Sequence, residues 1–285
     1  MLFLLVATVF SAGFGLIVRW AQMRRANLWA VGALNYVTAS LFHLTRSFIT
    51  RLGPPSPPTV TIGILGGIAY VSAYLMFFPF VARRGVSVAT AVIRLGVVLP
   101  VLVSMLLWDE RVGTIQGIGI VLALAALPLL TTKSSPEAPL HHPASRLRTG
   151  DIVTLGALAI TNGLCMLSVR GYEESGVQGE ASLFLGFLFG TAAIVGCIAW
   201  FAHRAPSSPR DLLPGILLGL CNALANLALV ASLQELPGML VFPFYSAVGV
   251  LFTALFARLA WQEHLQRLER IGMAITLMAV VLVNM

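Results

Sequence analysis

Residues 108–119 read WDERVGTIQGIG and residues 261–272 read WQEHLQRLERIG, and each stretch lies where one long apolar run ends and another begins. Tryptophan, a carboxylate two positions on and a glycine eleven positions on thus recur at a separation of 153 residues. Working outward, residues 85–130 and 238–283 align without a gap at that offset. Gly85 pairs with Gly238, Gly96 with Gly249, Trp108 with Trp261, Glu110 with Glu263 and Gly119 with Gly272. The chain reads as an internal duplication.

Composition says which solvent the duplicated unit is made for. Of 285 residues, 58% are hydrophobic and 10% charged, against about 45–50% and about 25% in an ordinary soluble domain. Ten apolar runs follow one another, at 2–18, 28–48, 60–81, 86–107, 113–130, 152–169, 182–202, 212–233, 239–260 and 268–284. A helix rising 1.5 Å per residue needs about 20 such residues to cross a ~30 Å hydrocarbon layer. Barrel strands alternate apolar and polar residues, whereas IVLALAALPLL and LLPGILLGL are apolar on every side. The expected fold class is therefore an all-α polytopic membrane protein with ten transmembrane helices. A cleaved signal peptide wants positive charge ahead of its apolar stretch, but MLFLLVATVF has none, so the first run is expected to be retained as a span.

Five spans per copy is an odd number, so the second copy enters the membrane inverted relative to the first. This predicts two inverted-topology five-helix repeats, residues 1–130 and 151–285. Between them TTKSSPEAPLHHPASRLRTG, 131–150, has three prolines and no periodicity, and reads as a flexible linker.

The net charge of +7 raises the question of nucleic acid, and the placement of the basic residues answers it. If the spans alternate, the loops after the odd-numbered spans hold Arg19, Arg24, Arg25, Arg83, Arg84, Lys133, Arg146, Arg148, Arg204, Arg210, Arg258, Arg267 and Arg270. The other side holds Arg46, Arg51, Arg111 and Arg170. Thirteen against four places the Arg-rich loops in the cytoplasm and both termini outside. The expected partners are the lipid bilayer and a small-molecule substrate, with no nucleic acid; a homodimer is left open.

No metal and no cofactor are expected. Cys165, Cys197 and Cys221 lie inside apolar runs with no C-x-x-C spacing. His141 and His142 are adjacent and point different ways, which suits a solvated loop better than a metal site. All five tryptophans, Trp20, Trp29, Trp108, Trp200 and Trp261, fall at span ends, where indole N–H groups reach the wet headgroup layer.

Two five-span halves, each with a span ending in W-x-E and a following span opening on glycine, resemble the drug/metabolite transporter superfamily, in particular its ten-span EamA-like transporters. Pro100, ten residues before Glu110, fits the proline that family usually carries there; Thr253 stands at the matching place in the second half, with Pro243 higher in its span. The resemblance covers essentially the whole chain. It implies movement of a small molecule through a central cavity between the halves, in a bacterial inner (plasma) membrane, without naming the molecule. Four-span multidrug members carry a membrane glutamate eight residues before a basic residue; here those places hold Ser11 and Asn162. Proton exchange for cationic drugs is disfavoured accordingly. Many EamA-type members have cytoplasmic termini, and the charge count here argues the opposite.

Candidate substrate-binding residues follow from polar groups inside spans. Arg94 in AVIRLGVVLP stands eight residues into the fourth span, where an arginine costs about 2.5–3.5 kcal/mol on translocon scales and must face protein or water. Its forked donors suit a carboxylate or phosphate; bracing the bundle or snorkelling is the plainer use. Tyr70 with Tyr74, and Asn222 with Asn226, are spaced i,i+4 and share a helix face. In the family their two spans, related by the repeat, partly line the cavity, although hydrogen bonding between helices is the commoner use. Asn35 and His43 lie near one face of the second span; a lone histidine there is expected to bond a neighbouring helix, with proton coupling as the functional reading. Asn162 and Tyr245 complete the set. The glycine pairs 63/67, 186/190 and 215/219 are G-x-x-x-G spacings expected to bring helix backbones close. Glu110 and Glu263 read as anchors at span ends.

An intramembrane enzyme is disfavoured, because His43 is the only histidine inside a span, no G-x-S-x-G occurs, and Asp109, Asp151 and Asp211 lie far apart at span ends. The expectation is a transporter of a small polar metabolite, with preference for an acidic or zwitterionic one, working by alternating access. The alternative on the same fold is a flippase for a lipid or lipid precursor.

Overall fold

A computed structural model describes residues 1–84, 96–108, 113–131, 149–175, 177, 179–203, 207–261 and 267–283. Those residues form ten helices and, among them, no strand. In chain order they are α1 (Leu2–Met23), α2 (Leu28–Ile49), α3 (Pro57–Arg84), α4 (Val98–Leu107), α5 (Thr114–Thr131), α6 (Thr149–Glu174), α7 (Ala181–Ala202), α8 (Pro209–Glu235), α9 (Gly238–Trp261) and α10 (Arg267–Val283). Among the described residues, five segments are both long and apolar enough to cross a bilayer: Leu2–Met23, Pro57–Phe77, Val153–Glu174, Ala181–Ala202 and Pro209–Glu235. α2 has the length, 22 residues, but spreads Asn35, Ser40, His43, Arg46 and Ser47 along its body.

Local chemistry sets several helix ends. The Asn27 side chain accepts from Trp29 N–H at 3.0 Å and caps α2. α8 opens with a capping box, in which Ser208 Oγ takes the Arg210 N–H and the Asp211 carboxylate takes the Ser208 N–H, with Pro209 filling the first turn. α1 closes at Arg24, and Arg25 adopts φ 52°, the left-handed turn that lets the chain reverse into α2.

The described chain divides into two compact units, each drawing on both the stretch before residue 132 and the stretch after residue 148. The first comprises Met1–Tyr74 with Leu164–Pro237, and the second Leu75–Gly163 with Gly238–Met285. In the first, α1 lies along α8, and α2 lies against both α7 and α8. α3 meets α7 through Gly63 and Gly67 and meets α6 where Gly66 faces Ser168. In the second, α5 packs on α10 and α9, α9 packs on α4, and Gly163 of α6 lies against Gly96 and Leu99.

The glycine pairs do what their spacing predicts. A Cβ at Gly63 would stand 2.8 Å from Phe187 Cβ and 3.0 Å from the Phe184 carbonyl; at Gly67 it would overlap the Leu188 carbonyl and stand 2.7 Å from Thr191 Cβ. A Cβ at Gly215 would stand 2.5 Å from Leu34 Cβ and 3.3 Å from the Val31 carbonyl; at Gly219, 2.6 Å from the Asn35 carbonyl and 2.6 Å from Thr38 Cβ. Gly186 and Gly190 face α2 more loosely, with the Leu44 side chain 3.1 Å and Ser40 Oγ 3.4 Å from their added Cβ atoms. With only hydrogen at these positions, dispersion contacts form across the whole crossing, which is the main glue available between helices in lipid.

Polarity runs inside out. Phe48 is 85% exposed and Leu106 80%, with Ile49, Ile194, Ile198, Phe201 and Leu259 also on the surface. Asn35, Ser40, His43, Asn222, Asn226 and Ser232 are buried. Water would penalise an apolar exterior of this extent, whereas hydrocarbon tolerates it and drives polar groups inward to find partners.

Candidate functional site

Asn35, Tyr36, Asn222 and Asn226, all buried, form with the half-buried Tyr70 a connected network across three helices of the first unit. Tyr70 of α3 donates its hydroxyl to Asn226 Oδ1 of α8 at 2.6 Å. Asn226 Nδ2 donates back along α8 to the Asn222 carbonyl at 3.0 Å and to Asn222 Oδ1 at 2.9 Å. Asn222 Nδ2 in turn donates to Asn35 Oδ1 of α2 at 3.2 Å. Tyr36, beside Asn35, donates its hydroxyl to the Tyr70 carbonyl at 3.1 Å. These bonds fix which end of the Asn226 amide is oxygen, because a flipped Asn226 would set its oxygen against the Asn222 main-chain carbonyl, which can only accept.

Tyr74 turns instead toward the start of α2, donating to the Leu28 carbonyl at 3.2 Å and the Trp29 carbonyl at 2.9 Å. Its ring is edge-on to Trp29 at 5.8 Å and to Tyr36 at 5.6 Å. His43 is fully buried and stacks on Phe189 of α7, with centroids 5.8 Å apart and planes 8° from parallel. Neither ring nitrogen of His43 makes a well-aligned bond, and the Ala223 backbone of the neighbouring α8 lies within polar reach. Phe189 also meets Tyr70 edge-on and Tyr36 face-on, so it joins the imidazole to the phenols.

The sequence-derived candidates thus divide. Asn35, Tyr70, Asn222 and Asn226 come together, and Tyr74 and His43 flank them through rings. Asn162 and Tyr245 are half-buried residues of the second unit. Arg94, Glu110 and Glu263 lie outside the described residues. Sequence reading passed over Tyr36, although Trp29, Tyr36 and His43 recur at seven-residue steps down one side of α2, a period that marks a shared face.

Two carboxylate clamps at helix starts also escaped notice. Glu180, just before α7, accepts from the Ser56 N–H at 3.0 Å and the Ser56 hydroxyl at 2.9 Å, tying α7 to the start of α3. Its carboxyl is held below the usual carboxylate range, chiefly by the Thr59 hydroxyl and then by the Ser56 N–H. Asp211 accepts from the Asn27 N–H at 2.9 Å and the Ser208 N–H at 2.7 Å, tying α8 to the start of α2. The S-x-x-D spelling of 208–211 is a capping signature that a local reading can find. The reach to Asn27 is not, because nothing local marks it.

Among the described residues no cluster of histidine, cysteine, aspartate and glutamate has the makings of a metal site.

A helical body with a greasy exterior and a polar interior is that of an integral membrane protein. Two stretches, 1–132 and 148–285, match the model of the EamA-like transporter family, so the chain belongs to that family. This is a family of transporters rather than of enzymes. An uncharacterized protein of Haemophilus influenzae is 24% identical over 289 residues, covering 97% of this chain and 95% of its own. A solved crystal structure of a protein at 15% identity superposes with a TM-score of 0.74 over 98% of both chains, a likeness of fold.

Proposed function

We propose that the protein transports a small polar metabolite across the bacterial inner membrane by alternating access, with its ten helices arranged as two inverted repeats. The observation that carries this reading is the equivalence of contacts between the repeats. Gly63 and Gly67 of α3 press on Phe184, Phe187, Leu188 and Thr191 of α7, while Gly215 and Gly219 of α8 press on Val31, Leu34, Asn35 and Thr38 of α2. The paired glycines are 152 residues apart, and each facing residue is 153 from its counterpart. Tyr70 and Tyr74 correspond at the same step of 152 to Asn222 and Asn226. The helices of one copy thus use on the other copy the contacts that the other uses on them, as a pseudo-two-fold axis in the membrane plane would require.

Between those two crossings lies the amide–phenol network, built by both copies. A polar solute entering there would exchange bonds for bonds, and each buried group left without a match would cost about 1–3 kcal/mol. Recognition by Asn35, Tyr70, Asn222 and Asn226 suits a solute with both donors and acceptors. Arg94 adds the preference for an acidic or zwitterionic one, and Tyr74, His43, Asn162 and Tyr245 complete the proposed set. The chain acts as a carrier rather than an enzyme, with its termini outside as the charge count argues.

Ligands found by thermal shift on the purified protein, followed by liposome flux of each hit, test the reading. Asn226→Ala and Tyr70→Phe are expected to lower flux several-fold, and Arg94→Ala to abolish it for anionic or zwitterionic solutes while the protein inserts and folds normally. Undiminished flux in Arg94→Ala removes the acidic preference; the absence of flux for any hit removes the transport reading.

A further inference from the structure

Gly32 lies one turn into α2, and its missing side chain is occupied by a ring from another helix. A Cβ there would fall inside Tyr74, overlapping Cε2, Cζ and the hydroxyl oxygen. Tyr74 is 8% exposed, flanked edge-on by Trp29 and Tyr36, with its hydroxyl divided between the Leu28 and Trp29 carbonyls. Those carbonyls belong to the first turn of α2, whose N–H partners lie further along the helix, so the tyrosine adds a second bond to each oxygen.

The rest of α3 is held differently. Its root is fixed to α7 by the Glu180 clamp at Ser56 and by the backbone-close Gly63 and Gly67 contacts. From Pro57 to Tyr74 the helix runs about 26 Å at 1.5 Å per residue, and at that distance it is tied to α2 through side-chain contacts. An arm jointed at one membrane face and latched near the other by side-chain contacts can swing with few bonds broken. The latch meets the end of α2 that follows Arg24 and Arg25, where His203 also stacks on Trp29 at 4.0 Å.

We infer that Tyr74, seated in the Gly32 notch, is the gate residue at the Trp29 end of the first unit: seated, it shuts that mouth, and unseated, it opens the polar network to the same side. The inference rests on the transport reading, and its test needs no substrate.

Cys165 of α6 is 6% exposed and lies within electrostatic range of the Tyr36 hydroxyl. In the full chain carrying Cys197→Ala and Cys221→Ala, Cys165 reports on access to the interior beside the network. The reagent is a membrane-impermeant maleimide applied to oriented vesicles, and a companion chain that also carries Cys165→Ala and the exposed Met23→Cys identifies the vesicles that present the Trp29 end. Tyr74→Ala is expected to raise the Cys165 labelling rate roughly ten-fold or more from that side alone, from loss of a shared hydrogen bond and a packed ring. Tyr74→Phe, which keeps the ring seated, raises it about two- to five-fold. Gly32→Ala, if it folds, behaves as Tyr74→Ala; if it does not, Tyr74→Ala decides. Wild-type labelling in Tyr74→Ala, or a rise equal from both sides, overturns the inference. One-sided opening in a protein that moves nothing in flux assays would leave the gate standing and sink only the transport reading.

Discussion

Consider adding one methyl group at Gly219. The new Cβ would stand 2.6 Å from the Asn35 carbonyl oxygen and 2.6 Å from Thr38 Cβ. Neither neighbour can rotate away, because the first is backbone and the second is a branch point on the facing helix. Restoring ordinary contact moves α8 off α2 by about 0.8 Å, which already forfeits a substantial share of the dispersion along the crossing. Overpacking of this kind costs about 1–3 kcal/mol, offset by the ~0.5–1 kcal/mol that alanine gains over glycine inside a helix. The net loss is about 0–2.5 kcal/mol, or a midpoint lowered by up to several degrees in a chain of this size. Gly67→Ala should lose a similar amount, since it meets the equivalent carbonyl and threonine on α7. Gly171→Ala supplies the contrast: nothing lies within 4 Å of its added Cβ, so only the helix gain remains and the midpoint should rise slightly. The assay is thermal unfolding of the three variants in one detergent, with helicity checked beforehand. If Gly67→Ala and Gly219→Ala are stabilised like Gly171→Ala, the crossings are not backbone-close and the case for equivalent repeats fails.

Other consequences can be measured alongside. Asn226→Ala takes the acceptor away from the half-buried Tyr70 hydroxyl and should destabilise by about 1–3 kcal/mol, whereas the double variant with Tyr70→Phe should recover part of that loss, because losing one side of a bond costs more than removing the pair; an additive double variant would deny the bond. Glu180, whose folded carboxyl titrates below its ordinary value of 4.5, contributes stability that is fully present above that value and disappears as pH falls through the lower folded one. The midpoint gap between wild type and Glu180→Gln should therefore close on acidification below about pH 4.5, and a gap independent of pH would count against the clamp. Fusion of a cytoplasm-active reporter after Met285 should yield no activity if the termini face outward; activity would reverse the assignment of the Arg-rich loops.

Much of the fold was legible in the residues, because lipid imposes few rules and enforces them strictly. A backbone with no water to bond must form helices, so apolar length alone located the segments 28–48 and 182–202 within a residue or so of α2 and α7. Other ends run further: α1 continues from the expected 18 to Met23 and α6 from 169 to Glu174, since Arg19 and Arg170 keep apolar stems in the helix while their heads reach partners, as Arg170 does with Glu174. The glycine pairs were legible for a similar reason, because a four-residue spacing of residues without side chains has little use except close approach.

The site was only half visible. Spacing along one helix put Asn222 with Asn226 and Tyr70 with Tyr74, but it could not say that Tyr70 would reach Asn226 while Tyr74 reached the start of α2, nor that His43 would lie against Phe189. Those partnerships depend on which faces meet and at what register, and that is a property of two surfaces at once. Local sequence determined that this chain is a doubled set of helices for a membrane, since hydrophobic length and repetition are written residue by residue. Only the tertiary structure decided which polar groups satisfy one another inside it, because a hydrogen bond between residues 156 positions apart exists only after the helices carrying them have packed.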